Sequence, residues 1–596
     1  MEAYLKRKND TLSSGSLSKK PKKEICPHAE RCYRKNPHHF KEFEHPHLND
    51  FIKMGDNLKI PSNMPQPESL YKEQLEILNP ILKADSRVVP AENTNSNTKS
   101  PTKDRNSTQK TPSASKPGNS KEVAGSSKGR ISSMGKTTSF QSSIDTGDEK
   151  APPGSMLEKL ETVAPYNLFF TTINKAPATL TQPNAITFTD LLCPSLGTLK
   201  CSLQINFMID IDWLLKQYKA RGLSSKPLTI LYGDDWPDLD KFIDKFCPHV
   251  TYKLMKMKDP FGIHHSKIGI YIYEDESLRV VVSTANLYFE DWNYYNQGLW
   301  LSPACPKLSD SHSDKDGESP TGFKKDFLNY LRSYNEPILK PFIDYVRRAD
   351  FSAVRVCFVA SIPGKHTKNE HATHLHTVGD LLSRHCVLPK KTTPQSEGPL
   401  SWGVIAQSSS IGNLGKDAAQ WFRGSVLRAL SSHTSCPMPM SSNASISMVY
   451  PSVDNVMTGY YGPESGGCLP YSKATNEKQR WLQDYLYQWK AEAYGRTKAM
   501  PHIKSYCRVS PCLTKLAFFL LTSANLSKAA WGGPFNKDGS VYVRSYEAGV
   551  LFLPKFFDQE YFEIKNTTAN KNGTLFPFMY DLPLTPYRKD DYPWCN

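Results

Sequence analysis

Hydrophobic and polar residues follow different patterns in the two parts of this 596-residue chain. From about residue 156 onward, short apolar runs such as Leu228–Tyr232 and residues 279–282 predict buried strands. One later segment has apolar residues at the spacing of an amphipathic, core-facing helix, namely Trp481, Leu482, Tyr485, Leu486 and Trp489. Because strand-like and helix-like patterns alternate, we predict an α/β fold for this part of the chain.

The first 155 residues lack this alternation and divide into three predicted segments. Residues 1–24 are polar and basic and predict a disordered tail, whereas residues 25–50 are crowded with Cys and His. Residues 51–155 predict a mostly disordered linker, since the stretch 84–152 is rich in Ser, Thr, Lys, Asn and Gly. Such a composition buries too little apolar surface to offset the entropy of ordering.

Charge and cysteine usage narrow the class of protein. A formal charge of +15 favours a polyanionic partner, nucleic acid or a phosphoinositide membrane, unless the basic tail supplies most of the excess. Thirteen cysteines without a disulfide-like framework, and an N-terminus without an apolar signal region, predict a soluble intracellular protein. Basic clusters at residues 6–8 and 19–23 predict nuclear import or a merely solvated tail, and leave cytoplasmic and mitochondrial pools open.

A duplicated motif carries the candidate chemistry. Each copy is a His-x-Lys at the head of an apolar run followed by an Asn beyond the next run, namely His265, Lys267 and Asn286, then His502, Lys504 and Asn525. Within a strand the His and Lys of one motif would share a face. A neutral imidazole can attack phosphorus and a cationic one can donate a proton, so two histidines can divide a phosphoryl transfer. The lysines and asparagines would hold the phosphate oxygens, and no carboxylate cluster calls for a catalytic metal.

The two copies predict one site between two halves, residues 156–350 and 351–596. The pattern resembles the phospholipase D superfamily, except that Ile272 and Val509 stand where that superfamily has an Asp. A Lys/Asn pair without the Asp is similar to the tyrosyl-DNA phosphodiesterase family. Neighbouring segments carry the same resemblance, namely residues 259–262 (DPFG), 296–298 (NQG), 523–531 (SANLSKAAW) and 544–554 (RSYEAGVLFLP).

The resemblance covers about residues 156–590 and implies a fold and an activity. It implies two pseudo-symmetric phospholipase D-like α/β lobes, each a mixed sheet flanked by helices. The implied reaction hydrolyses 3′-phosphotyrosyl DNA bonds, such as topoisomerase I adducts, and other 3′ blocking groups through a covalent phosphohistidine. It leaves a 3′ phosphate and needs no catalytic cofactor. The implied partners are adducted DNA and a topoisomerase I-derived peptide, with a monomeric protein and no membrane.

Roles follow position by position from the same resemblance. His265 would be the nucleophile and His502 the proton donor and acceptor, while Gln297 and Glu547 would orient the two imidazoles. The two lysines and two asparagines of the duplicated motif would ligate the phosphate. DNA-contacting residues would be Phe261, Phe207, Ser410, Ile411, Gly412, Asn413, Ser527 and Lys528.

Two of these DNA contacts depart from the family pattern, and a third has a structural alternative. Phe207 stands where a Tyr is expected, and Asn413 stands where the family has a Ser. Phe261 could stack on a base or be an ordinary core aromatic.

The Cys/His segment has the spacing of a tetrahedral zinc site. Its ligands would be Cys26, Cys32, His39 and His45, with His38 and His47 as competing ligands. The surrounding residues resemble the poly(ADP-ribose)-binding (PBZ) zinc finger, which implies a structural zinc. The resemblance also implies that Tyr33 and Arg34 contact poly(ADP-ribose) or poly(ADP-ribosyl)ated proteins. The alternative is a disordered His-rich segment.

Two other functions remain open at this stage. The first is a phospholipase D-like lipid phosphodiesterase that uses the same His-x-Lys pair. The second is a non-catalytic poly(ADP-ribose) reader with an inactive core. The missing Asp and the basic tail argue against the first, and two intact His-x-Lys motifs argue against the second.

Overall fold

The structure, a computed structural model, describes most of residues 23–86 and 155–596. Positions left out within these ranges are 27–29, 31, 33–39, 41–42, 56–57, 59, 62–63, 65–67, 235–242, 244–246, 312, 314, 391–397, 399–400, 439–443 and 566–573. The predicted basic tail, the linker from residue 87 to 154, and the candidate residues Tyr33, Arg34 and His39 lie almost wholly outside the description. The chain separates into two compact units, Met1–Lys150 and Ala151–Asn596.

The first half of the larger unit is built on an eight-stranded sheet. Its strands are β3 (Leu168–Thr171), β4 (Ala185–Ile186), β5 (Leu199–Asn206), β6 (Leu228–Tyr232), β7 (Val250–Leu254), β8 (Ile268–Tyr273), β9 (Leu278–Ser283) and β10 (Gly298–Leu301). Their order across the sheet is β4-β3-β10-β9-β8-β5-β6-β7. Every residue of β8 and β9 is buried, as expected for central strands covered on both faces.

The second half repeats this sheet. Its strands are β11 (Cys357–Ser361), β13 (Gly403–Gln407), β14 (Ile446–Val449), β15 (Leu486–Tyr487), β16 (Ser505–Val509), β17 (Lys515–Thr522) and β19 (Glu547–Phe552), with β20 (Phe562–Glu563) paired to β17. Their order is β11-β19-β17-β16-β13-β14-β15. Strands β12 (Gly364–His366) and β18 (Val541–Val543) form a separate two-stranded antiparallel sheet.

Seven strands correspond in order between the two sheets, whereas β4 in the first and β20 in the second have no counterpart among the described residues. Strand β8 pairs antiparallel with β5 and β9, just as β16 pairs antiparallel with β13 and β17. Beyond them, β5-β6-β7 and β13-β14-β15 are both parallel runs. One hydrophobic core includes strands of both sheets. The predicted α/β fold with two pseudo-symmetric lobes is therefore confirmed.

Helices flank the two sheets. The α-helices are Met156–Val163, Ile211–Ala220, Phe289–Asn293, Phe323–Ser333, Lys340–Arg347, His374–His385, Arg428–Leu430, Val453–Met457, Lys473–Lys478 and Lys528–Trp531, and a π-helical segment spans Ala419–Leu427. Shorter 3₁₀ segments are Pro177–Thr181, Phe188–Leu192, Pro194–Leu196, Pro337–Leu339, Lys368–Glu370, Gly462–Cys468, Arg480–Tyr485, Glu492–Tyr494 and Pro554–Phe557. Over the described part of the chain, no helix combines the length and the apolar character that a membrane span requires.

The prediction of an amphipathic α-helix around residues 481–489 is wrong. The chain forms the 3₁₀ segment Arg480–Tyr485 and then enters strand β15 at Leu486–Tyr487. Leu482, Leu486 and Trp489 are nevertheless buried, as the apolar stripe predicted. Pairing of β15 with β14 extends the backbone at Leu486, and this tertiary constraint overrides the helical spacing.

The N-terminal unit contains more ordered structure than the sequence indicated. Strands β1 (Glu24–Ile25) and β2 (Phe43–Glu44) pair in parallel, and helices follow at Pro46–Lys53 and Glu68–Ser86. The second helix lies within the range predicted as mostly linker. Its buried face shares one core with the first helix, made of Phe40, Leu48, Phe51, Tyr71, Leu75 and Leu78.

Candidate active site

Each His-x-Lys motif lies directly before a central strand rather than inside it. Strand β8 begins at Ile268, one residue after Lys267, and β16 begins at Ser505, one residue after Lys504. Each lysine ammonium donates to the carbonyl of the histidine two residues earlier. The two motifs therefore emerge at equivalent edges of the two sheets.

The backbone of each motif is held by the other lobe. His264 forms a bridge with Tyr546, and the amide of His265 donates to the Tyr546 carbonyl at 2.9 Å. In the equivalent arrangement, the amides of His502 and Ile503 both donate to the carbonyl of Asn296, at 3.0 and 2.9 Å. The site therefore exists only where the two lobes are docked.

The side chains cross the same seam. Oε2 of Glu547, in the second lobe, lies 2.9 Å from Nδ1 of His265 in the first. Nε2 of Gln297, in the first lobe, lies 2.8 Å from Nδ1 of His502 in the second. Both predicted orienting residues therefore lie at Nδ1 of an imidazole from the opposite lobe.

A hydroxyl supports each orienting side chain. Thr284 donates to Oε1 of Gln297 at 2.8 Å, and Ser523 donates to Oε2 of Glu547. These hydroxyls restrict rotation of the amide and the carboxylate, which in turn limits rotation of the two imidazoles. This support is what a preorganised site requires.

Asp291 is a site residue that the sequence reasoning missed. Its Oδ2 lies 3.2 Å from Nδ1 of His502 and accepts the amide of Asn286 at 2.6 Å. The residue is completely buried in the short helix Phe289–Asn293. Its only sequence signal is an acidic residue shortly after the first motif Asn, which is too common a pattern to point to a site.

Burial and charge set the state of the imidazoles. Burial lowers the pKa of His265, opposed by the neighbouring Glu547. Burial lowers the pKa of His502 to about 4, opposed by Asp291. In the free protein both rings are therefore neutral at physiological pH, and an anion between them would favour the cation.

The two lysines are buried close enough to influence each other. Burial and the positive charge of Lys504 lower the pKa of Lys267 to about 7. Burial lowers the pKa of Lys504 to about 8. Two desolvated lysines beside two imidazoles suit an anion chemically, since a phosphate would offset the repulsion between their positive charges.

Asn525 has a fixed orientation in the second lobe. Its Oδ1 accepts the hydroxyls of Ser408 and Ser409 at 3.0 and 3.2 Å and the amide of Ser410 at 3.0 Å. This leaves the amide nitrogen of Asn525 as the group available to a phosphate oxygen. Asn286 occupies the equivalent position by strand register and is buried in the first lobe.

The predicted DNA-contacting residues form two groups. Ile411 pairs with Leu526, and the amide of Gly412 donates to the Leu526 carbonyl, so residues 410–413 lie beside residues 525–528. Ser527 caps the helix Lys528–Trp531. The side chain of Ile411 is buried and Asn413 is exposed.

The two aromatic candidates lie on the first lobe. The ring of Phe207 is 5.6 Å from that of His265 and 5.5 Å from Nζ of Lys267. Phe261 is 74% exposed, so the alternative of a core aromatic is wrong.

Three predicted zinc ligands meet in the N-terminal unit. One ligand atom from each of Cys26, Cys32 and His45 lies within 4.8 Å of the others, and all three residues are buried. Two buried thiols and an imidazole in this arrangement fit a zinc ion. The fourth predicted ligand, His39, lies outside the described residues, as do Tyr33 and Arg34.

Two α/β lobes that contribute matching His, Lys and Asn residues to one seam define a two-histidine protein of the phospholipase D superfamily. The tyrosyl-DNA phosphodiesterase family model matches residues 167–588, and the PBZ domain model matches residues 23–48. The chain belongs to the tyrosyl-DNA phosphodiesterase family.

Curated relatives and solved structures agree with this assignment. Tyrosyl-DNA phosphodiesterase 1 of Drosophila melanogaster is 39% identical over 594 residues, covering 96% of this chain and 98% of that protein. A probable tyrosyl-DNA phosphodiesterase of Caenorhabditis elegans is 33% identical over 66% of this chain and 81% of that one. The crystal structure of the yeast tyrosyl-DNA phosphodiesterase shares the fold, with a TM-score of 0.55 and 20% identity over 72% of this chain and 99% of that chain.

Proposed function

We propose that this protein hydrolyses 3′-phosphotyrosyl bonds in DNA, such as topoisomerase I adducts, and related 3′ blocking groups. The observation that carries the proposal is the unequal pair of imidazoles. His265 is paired with the carboxylate of Glu547, whereas His502 contacts the amide of Gln297 and the carboxylate of Asp291. The contact with Glu547 suits His265 as a nucleophile, and the contacts with Gln297 and Asp291 suit His502 for proton transfer.

In the first step His265 acts as the nucleophile. A proton on its Nδ1 is held by Glu547, so the lone pair of Nε2 is available to phosphorus. The new bond joins Nε2 to phosphorus while the bond from phosphorus to the tyrosyl oxygen breaks. His502, protonated in the presence of the anionic substrate, transfers its proton to the departing phenolate oxygen.

In the second step His502, now neutral, serves as the base. It removes a proton from water while the water oxygen attacks phosphorus and the bond between phosphorus and His265 breaks. DNA leaves with a 3′ phosphate and His265 is regenerated. The buried neighbours of His502 suit this alternation, because Asp291 stabilises its cation while burial favours its neutral form.

The lysines and asparagines would hold the phosphate throughout. Lys267, Lys504, Asn286 and Asn525 donate to its non-bridging oxygens and stabilise the charge that develops in the transition state. These groups supply the required positive charge, so we propose that catalysis needs no metal or other cofactor.

DNA binding would use the surface around these residues. Phe207 and Phe261 offer faces for stacking bases or the substrate tyrosine, an interaction worth about 1–3 kcal/mol per base. Residues 410–413, Ser527 and Lys528 would lie along the DNA backbone, where Ser527 offers a hydroxyl and Lys528 an ammonium to the phosphates. The tyrosine would belong to a short topoisomerase-derived peptide.

The N-terminal unit would serve recruitment rather than catalysis. We propose that Cys26, Cys32, His39 and His45 hold a structural zinc ion, and that Tyr33 and Arg34 bind poly(ADP-ribose). The protein would act as a monomer in the nucleus, where poly(ADP-ribosyl)ated proteins mark damaged DNA. Cytoplasmic and mitochondrial pools would be further locations.

Cleavage of a 3′-phosphotyrosyl oligonucleotide in EDTA tests the proposal. We expect release of tyrosine and a 3′-phosphate product that persists under chelation, without turnover of phosphatidylcholine. Lipid turnover without tyrosine release would assign the site to a lipid phosphodiesterase. Activity that disappears with EDTA would contradict the metal-free mechanism.

A further inference from the structure

The seam between the lobes is closed differently at its two equivalent ends. Six residues before His265 stands Asp259, and one guanidinium nitrogen of Arg544 contacts both of its carboxylate oxygens at 2.9 Å. The Arg544 side chain is 41% exposed. Six residues before His502 stands Arg496, which is only 1% exposed. An open ion pair at one end thus corresponds to a buried guanidinium at the other.

Arg496 crosses the seam and contacts three groups of the first lobe. Its guanidinium donates to the carbonyl of Thr171 at 2.7 Å, to Oδ1 of Asn296 at 3.0 Å, and twice to Oε1 of Gln182 at 3.1 and 2.9 Å. These acceptors are all neutral oxygens. Burial lowers the pKa of Arg496 to about 10 and leaves it charged at physiological pH.

The same contacts lead directly to His502. Nδ2 of Asn296 donates to the carbonyls of Arg496 and Ala499, at 3.2 and 2.7 Å. The Asn296 carbonyl accepts the amides of His502 and Ile503. The next residue, Gln297, orients the His502 ring. Arg496 therefore fixes both the backbone and the ring partner of one histidine.

Close packing leaves little freedom at this end of the seam. A β-carbon on Gly298, next to Gln297, would collide with Ile503 and come within 2.7 Å of Cδ1 of Leu521. The hydrogen bonds of Arg496 tie its own segment to Gln182, Thr171 and Asn296 of the first lobe. Burying a guanidinium without a carboxylate partner costs free energy, and the four hydrogen bonds of Arg496 offset that cost. Changing Arg496 should therefore disturb the groups that accept these hydrogen bonds.

We infer that Arg496 is a positioning residue for His502, and that it acts on proton transfer rather than on the nucleophile. The inference rests on the proposed division of labour between the two histidines. His265 is anchored to Tyr546 and Glu547 at the other end of the seam, so its geometry is independent of Arg496.

Two leaving groups separate this role from a general structural one. Tyrosine leaves as a basic phenolate that needs a proton from His502, whereas 4-nitrophenolate is a weaker base and leaves unaided. Arg496→Lys should slow adduct formation from a 3′-phosphotyrosyl oligonucleotide about 10- to 100-fold, the typical cost of a small misplacement. Formation from the 4-nitrophenyl substrate should stay within about twofold of wild type, while release of DNA slows with both substrates.

Arg508→Lys is the matched control. Arg508 is also fully buried, and it donates to the carbonyls of Trp402 and Ser431, both of which belong to the second lobe. The Arg508→Lys variant should lower the melting temperature. It should not slow the tyrosyl substrate more than the 4-nitrophenyl substrate.

Rapid-quench assays and denaturing gels on the full chain measure both steps, alongside thermal melts. Equal slowing of adduct formation with both leaving groups, or unchanged release by Arg496→Lys, would overturn the inference. If wild-type protein forms no adduct with either substrate, the proposed function itself fails.

Discussion

Gln297 and Glu547 occupy equivalent positions in the two sheets, but one is a neutral amide and the other a carboxylate. Strand register makes them equivalent, because Leu299 pairs with Ser283 as Gly549 pairs with Thr522. Each reaches the histidine of the opposite lobe. His265 therefore contacts a carboxylate in Glu547, whereas His502 contacts both the Gln297 amide and the Asp291 carboxylate. These unequal surroundings give the two histidines of a duplicated motif different chemistry.

Substitution of each histidine should separate the two steps. We expect His265→Ala to abolish turnover and the covalent adduct, since His265 is the imidazole that Glu547 contacts. His502→Asn should instead let an acid-labile protein–DNA adduct accumulate, because water lacks its base. Denaturing gels of quenched reactions measure the adduct, and its formation by His265→Ala would show the roles to be wrongly assigned.

Asp291→Asn should weaken proton donation by His502. The carboxylate raises the pKa of His502 against the effect of burial, so its removal lowers that pKa further. Less of the cation then exists at any given pH. Because the cation is the proton donor, the alkaline limb of the rate profile should move to lower pH. We expect turnover of the tyrosyl substrate to fall about 10- to 100-fold, the size of a general-acid contribution.

Glu290→Gln controls for charge on the same short helix, because Glu290 is partly exposed there. Its pH profile should match that of wild type. An unshifted profile for Asp291→Asn would exclude the carboxylate from proton transfer.

Affinity for a 3′-phosphate oligonucleotide should fall as pH rises from 7 to 9. The free-state pKa values of Lys267 and Lys504 are lowered to about 7 and about 8, whereas a bound phosphate favours both cations. Protons are therefore taken up on binding above these values, and affinity decreases by about tenfold per pH unit for each proton. Fluorescence anisotropy across this range measures the slope.

Lys267→Arg provides the comparison, since a guanidinium stays charged throughout the range. For this variant, the plot of the logarithm of affinity against pH should be less steep, by the slope that one proton contributes. A wild-type affinity that is flat between pH 7 and 9 would mean that both lysines are already charged in the free protein.

Phe207→Ala should weaken substrate binding more than it affects chemistry. The ring packs against His265 and near the Lys267 ammonium, where it can stack on the substrate. Loss of a stacking face costs about 1–3 kcal/mol, so KM should rise roughly 5- to 100-fold. Phe207→Tyr keeps the aromatic face and should have the KM of wild type. Steady-state kinetics measure KM and kcat separately. A change confined to kcat in Phe207→Ala would contradict a role in stacking.

Leu75→Ala should weaken zinc retention in the full chain. Helix Glu68–Ser86 packs Leu75 into the core of the N-terminal unit, and its Gln74 donates to the Cys32 carbonyl at 2.8 Å. A Leu-to-Ala cavity costs about 2–5 kcal/mol, which should speed zinc transfer to a chromogenic chelator. Glu76→Ala, on the exposed side of the same helix, should leave the rate of zinc transfer unchanged. Equal transfer rates would show that the helix does not support the finger.

Much of the site was predictable because it depends on residue type and local spacing. His265, Lys267, Asn286 and their second copies are each confined to a segment of about 25 residues, within reach of sequence motifs. The central strands were also predictable, because β8 and β9 are continuous apolar runs. The helix Glu68–Ser86 was missed because its apolar positions lie in a range whose overall composition is polar.

The sequence by itself determined which chemical groups this protein has and that they occur twice. Only the tertiary structure decided how they are paired. Glu547 meets His265, and Gln297 and Asp291 meet His502, in each case across more than two hundred residues of chain. No local periodicity encodes such contacts, because they arise from the docking of two sheets. That docking gives two similar motifs two different tasks.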